Sequence, residues 1–294
     1  MRTPVATPTP SPHTAGVIFI TISAIAFSSA GIFTRGVDAD AWSVIFWRGL
    51  SGAGFILGYL AGRGQLWREV RSLDGPAIGA TVLLALGASA FITAFKYASV
   101  ANVTVIYATT PFLAAGLSWL ALKERPGARV LLASAVAFGG IALLMSDGIG
   151  AGSMLGNALS LWMSVMVAGC MVIYRRWPST SATMPVALSS ILVLPACLIF
   201  GDPLSIVDRD LVTLIGFGFV FAVSLVAMNE GARRLPSAEN ALLSTMETPL
   251  ALVLAYLILS EVPTSGTAIG ASIVIGAILW SQWPISRTPC LGNG

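Results

Sequence analysis

The chain has 294 residues, 56% hydrophobic and 10% charged, with a mean hydropathy of +0.85. Soluble domains carry about 25% charged residues, so a soluble enzyme or binding module is excluded, and collagen, coiled coil and disorder fit no better. The net charge of +3 does not indicate nucleic acid, because the basic residues fall in short gaps between apolar runs, as membrane flanks do.

Residues 1–14 hold Pro4, Pro8, Pro10 and Pro12 and are expected to form a disordered tail. Ten apolar runs follow, at 15–34, 41–61, 76–95, 101–122, 128–146, 154–174, 183–201, 210–229, 239–259 and 266–283. Each has about the 20 residues a helix needs to cross the hydrocarbon core, so they predict ten transmembrane helices, with 284–294 as a second tail. The third and eighth runs have blurred ends at Lys96, Asn229 and Glu230. A signal peptide cleaved near Ser28-Ser29-Ala30 suits the first run less well than a span, because its apolar stretch is too long for an h-region. The runs are continuously apolar, not alternating, which excludes a β-barrel. Tails and short loops take up the rest, with no folded soluble domain expected.

The basic residues orient the bundle. With the N-terminus inside, twelve of the sixteen Lys and Arg fall in cytoplasmic segments. Three (Arg35, Lys96, Arg209) fall outside, and Arg48 lies within a span. The bias predicts both termini cytoplasmic. Trp42, Trp67, Trp119, Trp177, Trp280 and Trp283 stand near span ends, as interfacial belts do.

The sequence also repeats. At an offset of 138, Ala94, Ser99, Asn102, Thr110 and Pro111 pair with Ala232, Ser237, Asn240, Thr248 and Pro249. After a slip of one residue, Glu124, Pro126, Gly139 and Ile141 pair with Glu261, Pro263, Gly276 and Ile278, and at an offset of 140 Gly16 and Arg35 pair with Gly156 and Arg175. Each half holds five spans, and five is odd, so the second copy must enter the membrane from the opposite side. Inverted repeats of this kind serve alternating access about a site at their interface. Pro111 and Pro249 fall mid-span at equivalent positions, each removing a backbone hydrogen bond to the carbonyl four residues earlier, at Tyr107 and Thr245. A matched interruption points to a transport site, although a membrane helix also tolerates a simple proline kink.

The stretch from Asn102 through Pro111 to Glu124 and Gly139-Gly140, with its copy from Asn240 through Pro249 to Glu261 and Gly276, resembles the drug/metabolite transporter superfamily in its ten-helix form of two EamA-type repeats. The resemblance spans nearly the whole chain. It implies an all-α integral membrane fold, with repeats at 15–146 and 154–283 around a central cavity, that exports small metabolites. Length, short loops and Trp/Tyr content are most similar to bacterial exporters of aromatic amino acids, which implies amino-acid substrates, the inner membrane and no cofactor. Beyond the lipid bilayer and the substrate no partner is expected, the protein being a monomer or weak dimer.

Polar residues inside spans are the candidate site, since the bilayer core offers no water to satisfy them. Glu247 is the one acid well inside a span; a continuous helix would place it with Asn240 and Ser244 on one face. Its role is either a pathway or proton-linked group or a neutral tie between helices, and its repeat partner is Thr109. Arg48 lies about 10 Å deep at 1.5 Å per residue, either pairing with Asp38 or Asp40 or facing the cavity to attract a carboxylate. Ser89, Thr93, Lys96 and Tyr97 form a stripe on the third span; Asn102, Tyr107 and Thr109 line the fourth, and Asn157, Ser160 and Ser164 the sixth. For lone Ser and Thr residues, glue between helices is the simpler role. Tyr97, Tyr107, Trp47 and Trp162 offer aromatic walls for an amphipathic cavity, or simply pack. Gly54, Gly58 and Gly62, and Gly266 and Gly270, are expected to pack within the bundle instead of forming a dimer seam.

Hydrolytic and ATP-driven chemistry lack their parts. The single histidine, His13, is in the tail, no spans carry paired aspartates, and no GxxxxGK[ST] loop exists. No metal site is expected. Two alternatives to amino-acid export stay open: a drug or quaternary-ammonium effluxer, and a non-transporting scaffold or sensor subunit.

Overall fold

A computed structural model describes residues 11–146 and 151–282, and all regular structure among them is helical. The first span is α1 (Pro12–Ser28) continued by α2 (Ala30–Arg35), and the second is α3 (Ala41–Gly62). A short α4 (Leu66–Arg71), unanticipated in its polar loop, precedes the third span, α5 (Gly75–Tyr97). The fourth is split into α6 (Val100–Ala108) and α7 (Thr110–Leu122), and α8 (Ala128–Ser146) ends the first repeat. The second repeat holds α9 (Ala151–Arg176), α10 (Thr183–Phe200), α11 (Asp208–Ala232), the split pair α12 (Ser237–Ser244) and α13 (Glu247–Leu259), and α14 (Ser265–Gln282). Among the described residues nine spans are long and apolar enough to cross a membrane; the tenth is the divided α12–α13, whose apolar half is shorter.

Polar caps set where helices start. The Ser99 hydroxyl accepts the Asn102 amide, the Asp74 carboxylate that of Ala77, and the Asp40 carboxylate those of Trp42 and Ser43. Partial burial raises the Asp40 pKa, but bonds from the Ser43 hydroxyl and the Ser43 and Trp42 amides outweigh it and hold the carboxyl below its usual value. Ser11 caps α1, so residues 12–14, expected to be disordered, are helical: a proline in the first turn loses no hydrogen bond. The remaining tail residues, 1–10 and 284–294, lie outside the described part.

Packing follows the repeat. α5 packs on α9 as α11 packs on α1, and α3 on α11 as α10 on α5. The split fourth span lies on α9, the split ninth on α1, while α3–α10 and α8–α14 join equivalent elements across the pseudo-axis, and the equivalent fourth and ninth spans meet through α6 and α13. The fourth and ninth spans run in opposite directions, because the α6 N-terminus meets the segment just after α13: the Val100 amide donates to Glu261 Oε2 at 3.0 Å. The two repeats are inverted.

Two glycine crossings allow this closeness. A Cβ on Gly270 would lie 2.6 Å from the Gly140 carbonyl, and one on Gly218 would lie 2.7 Å from the Gly52 amide and 2.8 Å from the Arg48 carbonyl. Gly54, Gly58 and Gly62, by contrast, have nothing within 4 Å of such a Cβ, so the expectation that they pack internally is corrected. α3 turns Gly49 and Gly52 inward, which leaves the other glycine stripe on its outer face.

The largest buried cluster gathers Val37, Val44, Phe95, Val100, Cys197, Leu214 and Ala255 from both repeats at one end of the bundle, where Arg35 and Glu261 also lie. At the opposite end, around Arg63, Glu124, Arg175 and Glu230, a smaller cluster joins α3, α10 and α11 through Ile56, Leu60, Met184 and Ala222.

Candidate functional site

Proline alone does not divide a helix here, since α10 stays continuous around Pro195. In the fourth span Pro111 follows two threonines whose hydroxyls turn onto their own backbone: Thr109 Oγ1 donates to the Ile106 carbonyl, and Thr110 Oγ1 donates to the Tyr107 carbonyl that Pro111 leaves without its helical donor. The Thr109 amide bonds three residues back, to Ile106, and α7 restarts with Pro111 in its first turn. In the ninth span the Met246 amide bonds to Leu243 and the Thr248 amide to Thr245, the carbonyl Pro249 cannot serve. Both interruptions are tight, satisfied breaks between half-helices, not the simple kinks a lone proline allows.

Polar groups without protein partners gather around these breaks. Glu247 opens α13 about 18 Å along the helix from Leu259, at 1.5 Å per residue. It is half-buried, and no described residue pairs with it. Tyr107, at the end of α6, lies within electrostatic reach of Glu247, and its ring tilts toward Phe91 at 6.3 Å. Asn240 Oδ1 on α12 is buried with no partner among the described residues. Because the chain breaks at Thr245–Met246, Asn240, Ser244 and Glu247 do not share the continuous helix face expected of them.

Arg48 is 4% exposed and forms no ion pair with Asp38 or Asp40; the latter is occupied capping α3. Its guanidinium lies over Phe221 at 4.7 Å and Phe217 at 5.7 Å, and Nε has no partner. Phe217 stacks on Phe33 and Phe221 meets Phe27 edge-on, so aromatic rings from α1, α2 and α11 surround a cation that has no carboxylate partner among the described residues. Sequence patterns missed these phenylalanines, as nothing separates such a ring from ordinary core.

Several expected site residues are committed elsewhere. Trp47 Nε1 donates to the Pro203 carbonyl at 2.7 Å and fastens a loop. Ser89, Thr93, Ser160 and Ser164 donate to carbonyls of their own helices, which are always within reach, so they are not glue between helices. Lys96 Nζ donates to the Val37 carbonyl at 3.0 Å. Tyr97 and Trp162 are 50% and 49% exposed, Trp162 beside exposed Leu155 and Ala158, so neither walls an enclosed interior. Asn102 and Asn157 do meet, Nδ2 to Oδ1 at 3.3 Å, and Thr267 donates to Asn102 Oδ1 at 3.0 Å. This buried triad ties α6, α9 and α14 and gives the Asn102 side-chain carbonyl a donor; Thr267 was not anticipated. Thr109, opposite Glu247 in the repeat, is fully buried.

At the Arg35 end a depression of about 340 Å³ is lined by Arg35, Asn102, Glu261 and Thr267. At the other end a groove of about 430 Å³ runs from Glu124 and Arg175 along α7 past Ser118 to Pro111. It leads from the surface to the break. No cluster of three or more metal-binding side chains occurs among the described residues.

The sequence pattern of the EamA-like transporter family matches residues 14–146 and again 148–282. No curated protein matches the chain. A solved structure, described only as the crystal structure of a protein, is similar in fold with a TM-score of 0.66 at 14% identity, covering 92% of this chain and 97% of that one.

Proposed function

The chain belongs to the EamA-like transporter family, a multi-pass membrane transporter of the drug/metabolite superfamily, and from that premise we propose that it exports amino acids, aromatic ones included, by alternating access. The observation that carries the reading is the pair of broken helices crossing at their half-helices. α6 packs on α13 at the Arg35 end, while α7 rests on α9 and α8, and α12 on α1 and α14. A groove at the second end reaches Pro111, beside the break of the fourth span, and Tyr107, four residues earlier, lies within electrostatic reach of Glu247.

The chemistry suits a zwitterion with an apolar side chain. Glu247 supplies an unpaired carboxylate for an ammonium group, Tyr107 and Phe91 supply aromatic surface, and Arg48 supplies the unpaired cation that a carboxylate needs. The half-helix starting at Thr110 adds a positive dipole end. With the Arg175 end cytoplasmic, as the basic-residue bias predicts, this conformation receives its substrate from the cell interior.

Counterflow in proteoliposomes tests the reading. Vesicles loaded with unlabelled phenylalanine are expected to accumulate radiolabelled phenylalanine above protein-free controls; no accumulation of any amino acid in a panel contradicts it. A quaternary-ammonium effluxer is the reading favoured by Glu247 beside aromatic rings alone. That rival requires the negative charge, so Glu247→Gln abolishes transport of a quaternary ammonium such as benzalkonium under it. Under amino-acid export the same variant lowers phenylalanine flux by about tenfold or somewhat more without abolishing it, as for the loss of one charge-assisted hydrogen bond of about 1.5–3 kcal/mol.

A further inference from the structure

The two ends of the bundle carry the same side-chain device, and only one of them is complete. Arg35 Nη1 pairs with Glu261 Oε1 at 2.7 Å, and Arg175 Nε pairs with Glu124 Oε2 at 2.6 Å. The repeat relates these pairs: Arg35 matches Arg175, and Glu124 matches Glu261. Each ion pair joins one repeat to the other. Both glutamates also follow the only non-glycine residues with positive φ among those described, Lys123 at 60° and Ser260 at 54°. Left-handed backbone is costly for side chains with a Cβ and persists where the surroundings require it. Here it ends α7 and α13 and starts the turn that brings each glutamate to its arginine.

The pairs differ in what else they hold. Glu261 Oε2 caps the N-terminus of α6 through the Val100 amide, where the helix dipole favours an anion. Arg35 donates further to the carbonyls of Phe95 at 2.9 Å and Ala98 at 2.7 Å, at the end of α5. The Arg35 and Glu261 side chains are 33% and 17% exposed. Among the described residues Arg175 and Glu124 have each other alone, at 64% and 48% exposure, beside the open groove. By the same offsets, the residues equivalent to Phe95, Ala98 and Val100 are Arg233, Pro236 and Ala238, at the end of α11 and the start of α12.

We propose that Glu261 and Glu124 are gate carboxylates that alternately cap the fourth helix of the opposing repeat, each held in aim by its arginine. In this conformation Glu261 closes the Arg35 end on the Val100 amide. In the opposite one Glu124 caps the Ala238 amide, Arg175 takes the carbonyls of Arg233 and Pro236, and Glu261 releases Val100. The ion pairs persist through the cycle; the caps exchange. The proposal uses the transporter's two access states but no particular substrate, so it stands or falls apart from amino-acid export.

Distances between spin labels in nanodiscs test it without substrate, on a background with Cys170, Cys197 and Cys290 replaced by serine. Labels at Tyr97 and Ile258 report the Arg35 end, and labels at Ala121 and Ala232 the other. Glu261→Ala is expected to lengthen the Tyr97–Ile258 distance and shorten the Ala121–Ala232 distance; Glu124→Ala is expected to remove any short Ala121–Ala232 population. The exchanged pair Arg35→Glu with Glu261→Arg keeps an ion pair but puts a donor where Val100 needs an acceptor, so it should behave as Glu261→Ala does. Restoration of the wild-type distances by the exchange overturns the proposal, as do single variants that change neither distance or move both ends alike. Val100→Pro, which deletes the capped amide and keeps the ion pair at the first turn of α6, is the second route to the same shift if Glu261→Ala folds poorly.

Discussion

Arg48 marks the limit of what residue types reveal. The sequence indicates a cation within a span, yet Asp38 and Asp40 were as plausible as partners as a substrate carboxylate. Only the fold assigns Asp40 to its helix cap and leaves Arg48 facing Phe217 and Phe221. The Asp40 cap carries a pH signature. Its folded pKa lies below the ordinary value, so its contribution to stability is present above about pH 4 and is lost as the pH falls through the folded pKa. Asp40→Asn preserves a capping acceptor and removes the charge, so the melting temperatures of variant and wild type should converge as the pH is lowered from 6 to 3. The glycines make a second residue-scale test. Gly218→Ala drives a methyl into the Gly52 and Arg48 backbone and should cost about 1–3 kcal/mol or more, read as a lower melting temperature in detergent. Gly54→Ala meets nothing and should leave stability equal or up to about 1 kcal/mol higher.

At the scale of elements, apolar length located the spans to within a few residues, because the bilayer imposes one dimension on all of them. It could not locate the breaks. Pro195 sits inside a continuous α10 while Pro111 and Pro249 follow breaks, and the difference lies in threonine hydroxyls and amides that bond to carbonyls three residues back. Hydrophobic periodicity is blind to those bonds. The face expected for Asn240, Ser244 and Glu247 failed for the same reason, since a break resets the helical phase. Pro111→Ala and Pro249→Ala should each favour a continuous span. We expect a stable, folded protein with phenylalanine counterflow reduced at least fivefold in each variant. Full activity in both would leave the breaks without a role in transport.

For the whole molecule, the repeat was legible from a few identities, and its inversion follows from an odd number of spans. The antiparallel meeting of Val100 with Glu261 is the structural counterpart of that parity argument. Which end is closed was not legible, because two inverted halves of one sequence encode both closures. It depends on tertiary packing: one large cluster and a latch of four polar contacts at the Arg35 end, an exposed ion pair and a groove at the other. Sidedness of labelling tests this alternation most directly. Ser118→Cys, beside the groove, and Leu252→Cys, beside the depression near Arg35, are reacted separately with a membrane-impermeant maleimide in sealed vesicles, with and without an imposed phenylalanine gradient. The two cysteines should react from opposite faces, and the gradient should raise labelling at one as it lowers labelling at the other. Labelling of both from the same face, or parallel changes at the two positions, would contradict alternating access through the inverted repeat.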